Sequence, residues 1–363
     1  MKPLLLDQLP SDWNLGDAPA YRRQQLTEWI FQKRAETFSR MTNLPGPFRQ
    51  RLSADYEITA LTHVRTQGSR DTTRKFLFRL ADGDFIESVL IPANPALHGE
   101  RADRFTLCVS SQVGCAYGCK FCASGLNGWR RNLTPSEILA QIMQTEKLSG
   151  EKITNLVFMG MGEPLANYDH LMRAIAVINS DWGLNIGARR VTVSTSGIVP
   201  RIRDLADQPR QLRLAVSLHG ADNDTRNQIM PVNKKYPLEQ LLDACAYYRE
   251  KKSQMLTFEY ILIRGLNDTP RQAALLAAHA SRLNAKINLI PCNPVKGLPW
   301  QHPADRDIKT FAAILKSAGI TATIRLEKGR DIDAACGQLR LAELNRQSAQ
   351  YHGPTRPLMM TTD

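Results

Sequence analysis

The chain has 363 residues, of which 43% are hydrophobic and 23% charged. This ordinary globular usage excludes wholesale disorder. No stretch approaches the ~18 consecutive apolar residues of a membrane span, and the apolar core of the opening segment is too short for a secretory signal. We therefore expect a soluble, cytoplasmic protein with no membrane partner. The 47 basic and 35 acidic residues give a net charge of +12, which favours a polyanionic partner without identifying it.

Residues 1–70 are predicted to form a small helical module. The segment 21–30 places Leu26, Trp29 and Ile30 on one face of a helix, with basic residues around them. A similar mixture of aromatic and basic side chains occurs at residues 129–132 and suits contacts with RNA phosphates and bases. For either segment alone, the ordinary explanation is a charged face exposed to solvent and not an RNA contact. Together with the net charge, the two favour an RNA-binding role.

Residues 71–104 are predicted to form a β-hairpin and a linker. Two strands, at 75–80 and 85–90, flank a turn that contains Asp82 and Gly83. A loop rich in proline and charged residues then runs to Arg104.

From residue 105 to residue 342, predicted strands alternate with helices. A helix at 135–148 begins after a Thr134 cap with Glu137 three residues on, and another spans 305–317. Repeated β-α units predict an α/β fold, a parallel sheet curled toward a partial (β/α) barrel whose chemistry lies at the carboxyl ends of the strands. The polar residues 343–363 are predicted to be a flexible tail. The predicted strands are residues 105–110, 154–159, 190–195, 212–218, 257–263, 286–290 and 321–326.

Cysteines provide the strongest chemical signal. Three of the seven, Cys115, Cys119 and Cys122, have the spacing C-x3-C-x2-C. A structural zinc site needs four ligands, and Cys108 could be the fourth, which would describe a zinc-containing RNA-binding module. A 4Fe–4S cluster normally takes four cysteines, so three would leave one iron open to a ligand that is not protein. The remaining alternative is that the three cysteines are buried close together and bind no metal.

This spacing resembles the signature of the radical S-adenosylmethionine superfamily. The resemblance implies one 4Fe–4S cluster whose open iron binds the amino and carboxyl groups of S-adenosylmethionine. One-electron reduction then cleaves the sulfonium and produces a 5′-deoxyadenosyl radical. In such enzymes the cofactor performs the difficult chemistry and the protein positions it.

The surrounding motifs resemble those of RlmN-type dual-specificity 23S ribosomal RNA and transfer RNA adenine methyltransferases, from about Tyr21 to Leu339. Ser124 stands where the family often has threonine, and the loop from Pro92 to Arg104 is extended. The motifs are Ser110-Ser111-Gln112-Val113-Gly114, Arg131-Asn132-Leu133-Thr134, Met159-Gly160-Met161-Gly162-Glu163-Pro164, Val193-Ser194-Thr195-Ser196-Gly197, Ser217-Leu218-His219, Pro291-Cys292-Asn293-Pro294 and Asp331-Ile332-Asp333-Ala334-Ala335-Cys336-Gly337-Gln338-Leu339.

The resemblance implies a role for each matching residue. Cys115, Cys119 and Cys122 would hold the cluster. Cys336 would carry the methyl group as S-methylcysteine, Cys108 would be the second catalytic cysteine, and Glu87 would be a proton acceptor. The residues implied to bind S-adenosylmethionine are Gly162, Glu163, Ser194, Ser217, Leu218, His219 and Asn293. Without the resemblance, Cys336 would be a loop cysteine, Cys108 a strand core residue and His219 a structural hydrogen-bonding residue.

The implied reaction methylates carbon 2 of adenosine, which is too electron-poor for simple displacement on a sulfonium methyl group. Two S-adenosylmethionine molecules are used per turnover. The first methylates the Cys336 thiolate, and the second supplies the radical that activates this methyl group for addition to carbon 2. Attack by Cys108 then releases the RNA and forms a transient Cys108–Cys336 disulfide.

The implied substrates are the peptidyl transferase centre of 23S rRNA and the adenosine next to the anticodon in tRNA. A reducing donor protein such as a flavodoxin would supply electrons to a monomeric enzyme. A related methyltransferase of the antibiotic-resistance type, which modifies carbon 8 of an rRNA adenine, is the first alternative. The zinc-containing RNA-binding module remains the second.

Overall fold

The computed structural model describes residues 2–59, 61–69, 72–93, 104–125, 128–294, 297–325, 339–340 and 343. The α-helices within these ranges are α1 (Tyr21–Thr27), α2 (Gly46–Asp55), α3 (Pro135–Ser149), α4 (Tyr168–Asn179), α5 (Val199–Asp207), α6 (Asn223–Ile229), α7 (Leu238–Lys251), α8 (Pro270–Leu283) and α9 (Asp305–Ser317). The strands are β1 (Thr62–Gly68), β2 (Arg74–Arg79), β3 (Phe85–Pro92), β4 (Phe105–Cys108), β5 (Gln112–Gly114), β6 (Trp129–Asn132), β7 (Asn155–Phe158), β8 (Val191–Thr195), β9 (Arg213–Ser217), β10 (Thr257–Leu262), β11 (Lys286–Pro291) and β12 (Ala322–Ile324).

A ten-stranded sheet in the order β1-β2-β3-β4-β7-β8-β9-β10-β11-β12 organises the molecule. Neighbours from β4 through β12 pair in parallel, with helices connecting most of them. This succession confirms the predicted partial (β/α) barrel, and each of the seven predicted strands overlaps one of these parallel strands. The carboxyl ends of the parallel strands therefore meet at one edge, where functional residues collect in such folds.

The antiparallel strands β1, β2 and β3 extend this sheet beyond β4. The hairpin β2–β3 agrees with the sequence prediction. The predicted helical module is wrong at residues 62–68, because these residues form β1 and pair with β2. Most β1 side chains are exposed on this edge strand, so no apolar alternation marked it in the sequence.

Helix α3 begins as its sequence predicted. Thr134 Oγ1 accepts the Glu137 N–H at 3.3 Å, and the Glu137 carboxylate accepts the Thr134 N–H at 2.9 Å. This reciprocal pair satisfies two N–H groups that the helix itself leaves unpaired. Ile138, Leu139 and Ile142 are fully buried, so the helix packs its apolar face on the sheet.

The N-terminal helices share one continuous hydrophobic core with the barrel. Leu26 and Ile30 are fully buried, as the periodicity predicted, and the chain continues from α1 into a π-helical turn at Glu28–Gln32. The Asp7 carboxylate accepts the Ser136 N–H at the start of α3 at 3.0 Å. This packing fixes the N-terminal segment against the helices that support the site. Across the described ranges, every helix is too short or too polar to cross a lipid bilayer.

Candidate active site

A cavity of about 340 Å³ lies at the carboxyl ends of the parallel strands. Its wall brings together nine of the residues chosen from the sequence, namely Cys115, Cys119, Cys122, Gly162, Glu163, Ser194, Ser217, His219 and Asn293. Leu218 was also expected here, but its side chain is fully buried in the hydrophobic core. The cavity is therefore built from residues at the ends of β8 and β9 and from loops that follow β5, β7 and β11.

The three-cysteine segment forms the loop between β5 and β6. The Cys115 N–H donates to the Gly128 carbonyl at 3.1 Å, and the Lys120 N–H donates to the Ile229 carbonyl at 3.0 Å. Gly114 has φ of 75°, and a Cβ there would lie 1.9 Å from the Gly128 oxygen. Only glycine fits this close approach. The loop is thus anchored at both its start and its middle.

The chemistry of the loop fits an iron–sulfur cluster better than zinc. Burial raises the pKa of the Cys115 thiol to about 12 and that of Cys119 further. Metal binding would displace these thiol protons. Among the described residues, no three His, Cys, Asp or Glu side chains are placed to share one metal ion. Three thiols of one loop line the cavity and Cys108 is not among its lining residues, which suits a 4Fe–4S cluster held by three thiolates better than a four-ligand zinc site.

Glu163 connects the loop after β7 to two other motifs. Its N–H donates to Gln112 Oε1 at 2.9 Å, and Gln112 Nε2 donates to Asn132 Oδ1 at 2.7 Å. Its carboxylate accepts the Ser196 N–H at 2.6 Å and the Leu165 N–H at 3.1 Å. Burial raises the pKa of this carboxyl group, and the two N–H donors oppose the shift. Gly162 has φ of 98°, and a Cβ there would lie 2.5 Å from Gln112 Cβ.

Arg226, which the sequence analysis did not select, ties the ends of β8 and β9 together. This fully buried side chain donates to the carbonyls of Ser196, Ser217 and Leu218 and to Asn233 Oδ1. Burial lowers the pKa of its guanidinium to about 10. Because it binds carbonyls on two adjacent loops, it fixes the backbone that carries Ser194 and Ser217. Nothing in the α6 sequence indicated this role.

His219 is held neutral and in one tautomer. Its Nδ1 lies 3.0 Å from the Ile261 N–H, so this nitrogen accepts and Nε2 carries the proton. Burial lowers the pKa of the imidazole to about 3. The Phe121 ring meets it edge-on, with the ring centroids 4.8 Å apart. His219 therefore offers the cavity a neutral N–H donor.

Cys108 and Glu87 lie on the neighbouring strands β4 and β3 and are not among the residues that line this cavity. Cys108 of β4 pairs with Val89 of β3, which makes Glu87 its diagonal neighbour on the same face of the sheet. The Glu87 carboxylate lies 3.2 Å from Lys75 Nζ and accepts the Arg340 N–H at 2.6 Å. Cys336 lies outside the described residues, as do 344–363 of the tail. Arg340, four positions after Cys336, is thus bound beside the Cys108 strand.

The basic segment in β6 is largely committed to protein contacts. Arg131 donates to both carboxylate oxygens of Glu137 and to Asp82 at 2.6 Å. Arg130 pairs with Asp84. These bonds tie β6 to the β2–β3 turn and to α3. Trp129 is 49% exposed and remains available for base stacking.

Comparison with protein-family models identifies two regions. Residues 109–277 match the model described as the radical SAM superfamily. Residues 14–58 match the ribosomal RNA large subunit methyltransferase N-terminal domain. The two matches cover the part of the barrel from the cysteine loop through β10, and the N-terminal helices α1 and α2.

Similar proteins match almost the whole chain. A probable dual-specificity RNA methyltransferase RlmN of Akkermansia muciniphila is 52% identical over 330 residues, which is 91% of this chain and 92% of the relative. One from Opitutus terrae is 49% identical over 340 residues, 91% of each chain. The crystal structure of a radical SAM methyltransferase from Sphaerobacter thermophilus superposes with a TM-score of 0.86 at 42% identity, covering 93% of this chain and 99% of the other.

Proposed function

Because the chain belongs to the RlmN family of radical S-adenosylmethionine RNA methyltransferases, we propose that it methylates carbon 2 of adenosine in 23S rRNA and in tRNA. The observation that carries this proposal is the shared cavity. It joins the three cysteines to Glu163, Ser194, Ser217 and Asn293. The methyl group would pass through Cys336, and a reducing donor protein such as a flavodoxin would supply electrons to the monomer.

The cavity residues suit the two groups that the family uses. Cys115, Cys119 and Cys122 would hold a 4Fe–4S cluster by three thiolates. When bound, the cluster and S-adenosylmethionine supply the one-electron chemistry that activates a methyl group. Ser194, Ser217 and Asn293 offer hydroxyl and amide groups, and the neutral His219 offers an N–H donor. A buried wall atom, Glu259 Oε2, has no hydrogen-bond partner among the described residues and would accept from a ligand.

Two cysteines outside the cluster loop would carry out the transfer. The Cys336 thiolate would accept the first methyl group, since a thiolate is a competent nucleophile for displacement. After carbon 2 has been joined to Cys336 and has lost its proton, Cys108 would attack the Cys336 sulfur. The bond from the Cys336 sulfur to the transferred methylene carbon would break as the disulfide forms, and that carbon would take the electron pair and a proton to become the methyl group of the product.

The position of Arg340 supports this pairing. Arg340 follows Cys336 by four positions in the sequence, and its N–H is bound to Glu87 on the strand that neighbours Cys108. Glu87, expected as a proton acceptor, is engaged by Lys75 and by the Arg340 N–H. These contacts also suit a role in anchoring the chain that follows Cys336.

Single cysteine replacements test the proposal in anaerobically prepared protein with its cluster. Cys336→Ala should abolish methylation while iron content is retained, and Cys108→Ala should accumulate a protein–RNA adduct. Cys245→Ala, a change in the buried face of α7, is the matched control and should methylate normally. Product mass and chromatographic retention separate 2-methyladenosine from 8-methyladenosine. Free methylated RNA formed by Cys336→Ala, or released at the normal rate by Cys108→Ala, would contradict the assignment.

A further inference from the structure

One buried carboxylate in the cavity wall, that of Glu259, takes no part in the methyl transfer through Cys336 and Cys108. Glu259 lies on β10, where it is in register with Ser217 of β9 and Asn288 of β11. It is 4% exposed and forms part of the cavity wall. These three polar residues therefore lie side by side on three adjacent parallel strands.

The two oxygens of Glu259 differ in their environment. Oε1 accepts Asn288 Nδ2 at 2.9 Å, whereas Oε2 is buried and has no hydrogen-bond partner in the described part of the chain. Burial raises the pKa of the carboxyl group, and the charges of Arg325 and Lys286 oppose the shift. An unsatisfied buried polar atom costs about 1–3 kcal/mol. The hydrogen bond from Asn288 to Oε1 thus holds the carboxylate in place, and Oε2 is left without a donor among the described residues.

The surroundings indicate which donor would fit. Ile261 and Ile290, an adjacent register pair on β10 and β11, form an apolar part of the same wall. A flat apolar surface beside one carboxylate acceptor complements a nucleoside, whose base faces are apolar and whose edges carry N–H and O–H donors. A carboxylate would repel a phosphate, so the donor belongs to a base or to a ribose hydroxyl.

We propose that Glu259 contacts the adenosine bound in this cavity, with Oε2 accepting a hydrogen bond from its amino or hydroxyl group. The inference rests on the proposed function. Adenosine reaches the site from two sources, the S-adenosylmethionine molecule and the target nucleotide of the RNA. The chemistry recognised by the carboxylate is the same in both.

Glu259→Gln is the informative replacement because the amide keeps the size of the side chain. Its oxygen can still accept from Asn288, which places an NH₂ donor where Oε2 was and so turns an acceptor into a donor. The matched control is Thr257→Val, two positions earlier on β10 at a buried site that does not line the cavity. Equilibrium titrations of the anaerobic holoenzyme would use S-adenosylmethionine in one arm and an RNA hairpin bearing the target adenosine in the other.

We expect Glu259→Gln to weaken binding about tenfold or more in at least one arm, as for a lost hydrogen bond to a charged group. A loss confined to S-adenosylmethionine assigns the contact to the cofactor, and a loss confined to RNA assigns it to the target. The unfolding temperature without ligand should stay constant or rise, since the amide keeps the hydrogen bond from Asn288 and a buried carboxylate is removed.

Less than threefold weakening in both arms would overturn the inference, as would an equal loss in Thr257→Val. A lower unfolding temperature with unchanged affinity would show that Glu259 is structural. These results differ from a failure of the proposed function itself, in which the wild-type holoenzyme would not bind S-adenosylmethionine.

Discussion

Replacing Arg226 with methionine tests how the loops of the cavity are held together. Its buried guanidinium donates to three carbonyls, those of Ser196, Ser217 and Leu218. Leu218 O also accepts the Gly220 N–H at 2.7 Å and so keeps a partner. The other two carbonyls lose this donor, at about 1–3 kcal/mol each. Methionine fills part of the volume, so we expect a loss of about 3 kcal/mol in the free energy of unfolding.

The assay is urea-induced unfolding followed by circular dichroism under anaerobic conditions, with iron content as a second measurement. Arg201→Met is the matched control, because Arg201 is half exposed and pairs with Asp204 on the surface of α5 at 2.9 Å. That change should alter the free energy by less than about 0.5 kcal/mol. If Arg226→Met lost less than about 1 kcal/mol, the claim that Arg226 fixes the ends of β8 and β9 would be refuted.

Two further replacements test other parts of the site. Gly162→Ala should reduce S-adenosylmethionine binding more than tenfold, since the new Cβ would lie 2.5 Å from Gln112 and the backbone φ is 98°. Calorimetric titration would measure the affinity. Gly83→Ala, at an open turn with φ of 88°, is the control that shows whether backbone strain alone explains the loss. Lys75→Met should cost about 3–5 kcal/mol by removing the ammonium group that pairs with the buried Glu87 carboxylate, and adding Glu87→Gln should restore part of this stability. Equal unfolding midpoints for the single and double variants would contradict that pairing.

Local patterns in the sequence determined much of this protein. The three-cysteine spacing, the Thr134–Glu137 cap and the alternation of β and α segments each depend on residues close together in the chain. Such features predicted the parallel strands, the hairpin β2–β3 and the three cysteines of the cavity wall. The resemblance to RlmN-type enzymes supplied the other expected wall residues, Gly162, Glu163, Ser194, Ser217, His219 and Asn293. Glu259 had a signal that was overlooked, a charged residue inside an otherwise apolar strand.

Tertiary structure decided the features that depend on distant partners or on the direction of a side chain. Ser217, the last residue of β9, lines the cavity, whereas the side chain of the next residue, Leu218, enters the core. The Glu87 carboxylate meets the Arg340 N–H across 253 positions of sequence. Such contacts arise only when the sheet brings remote strands together, because a hydrogen bond acts over about 3 Å. They produce no periodic pattern in the sequence from which they could be predicted.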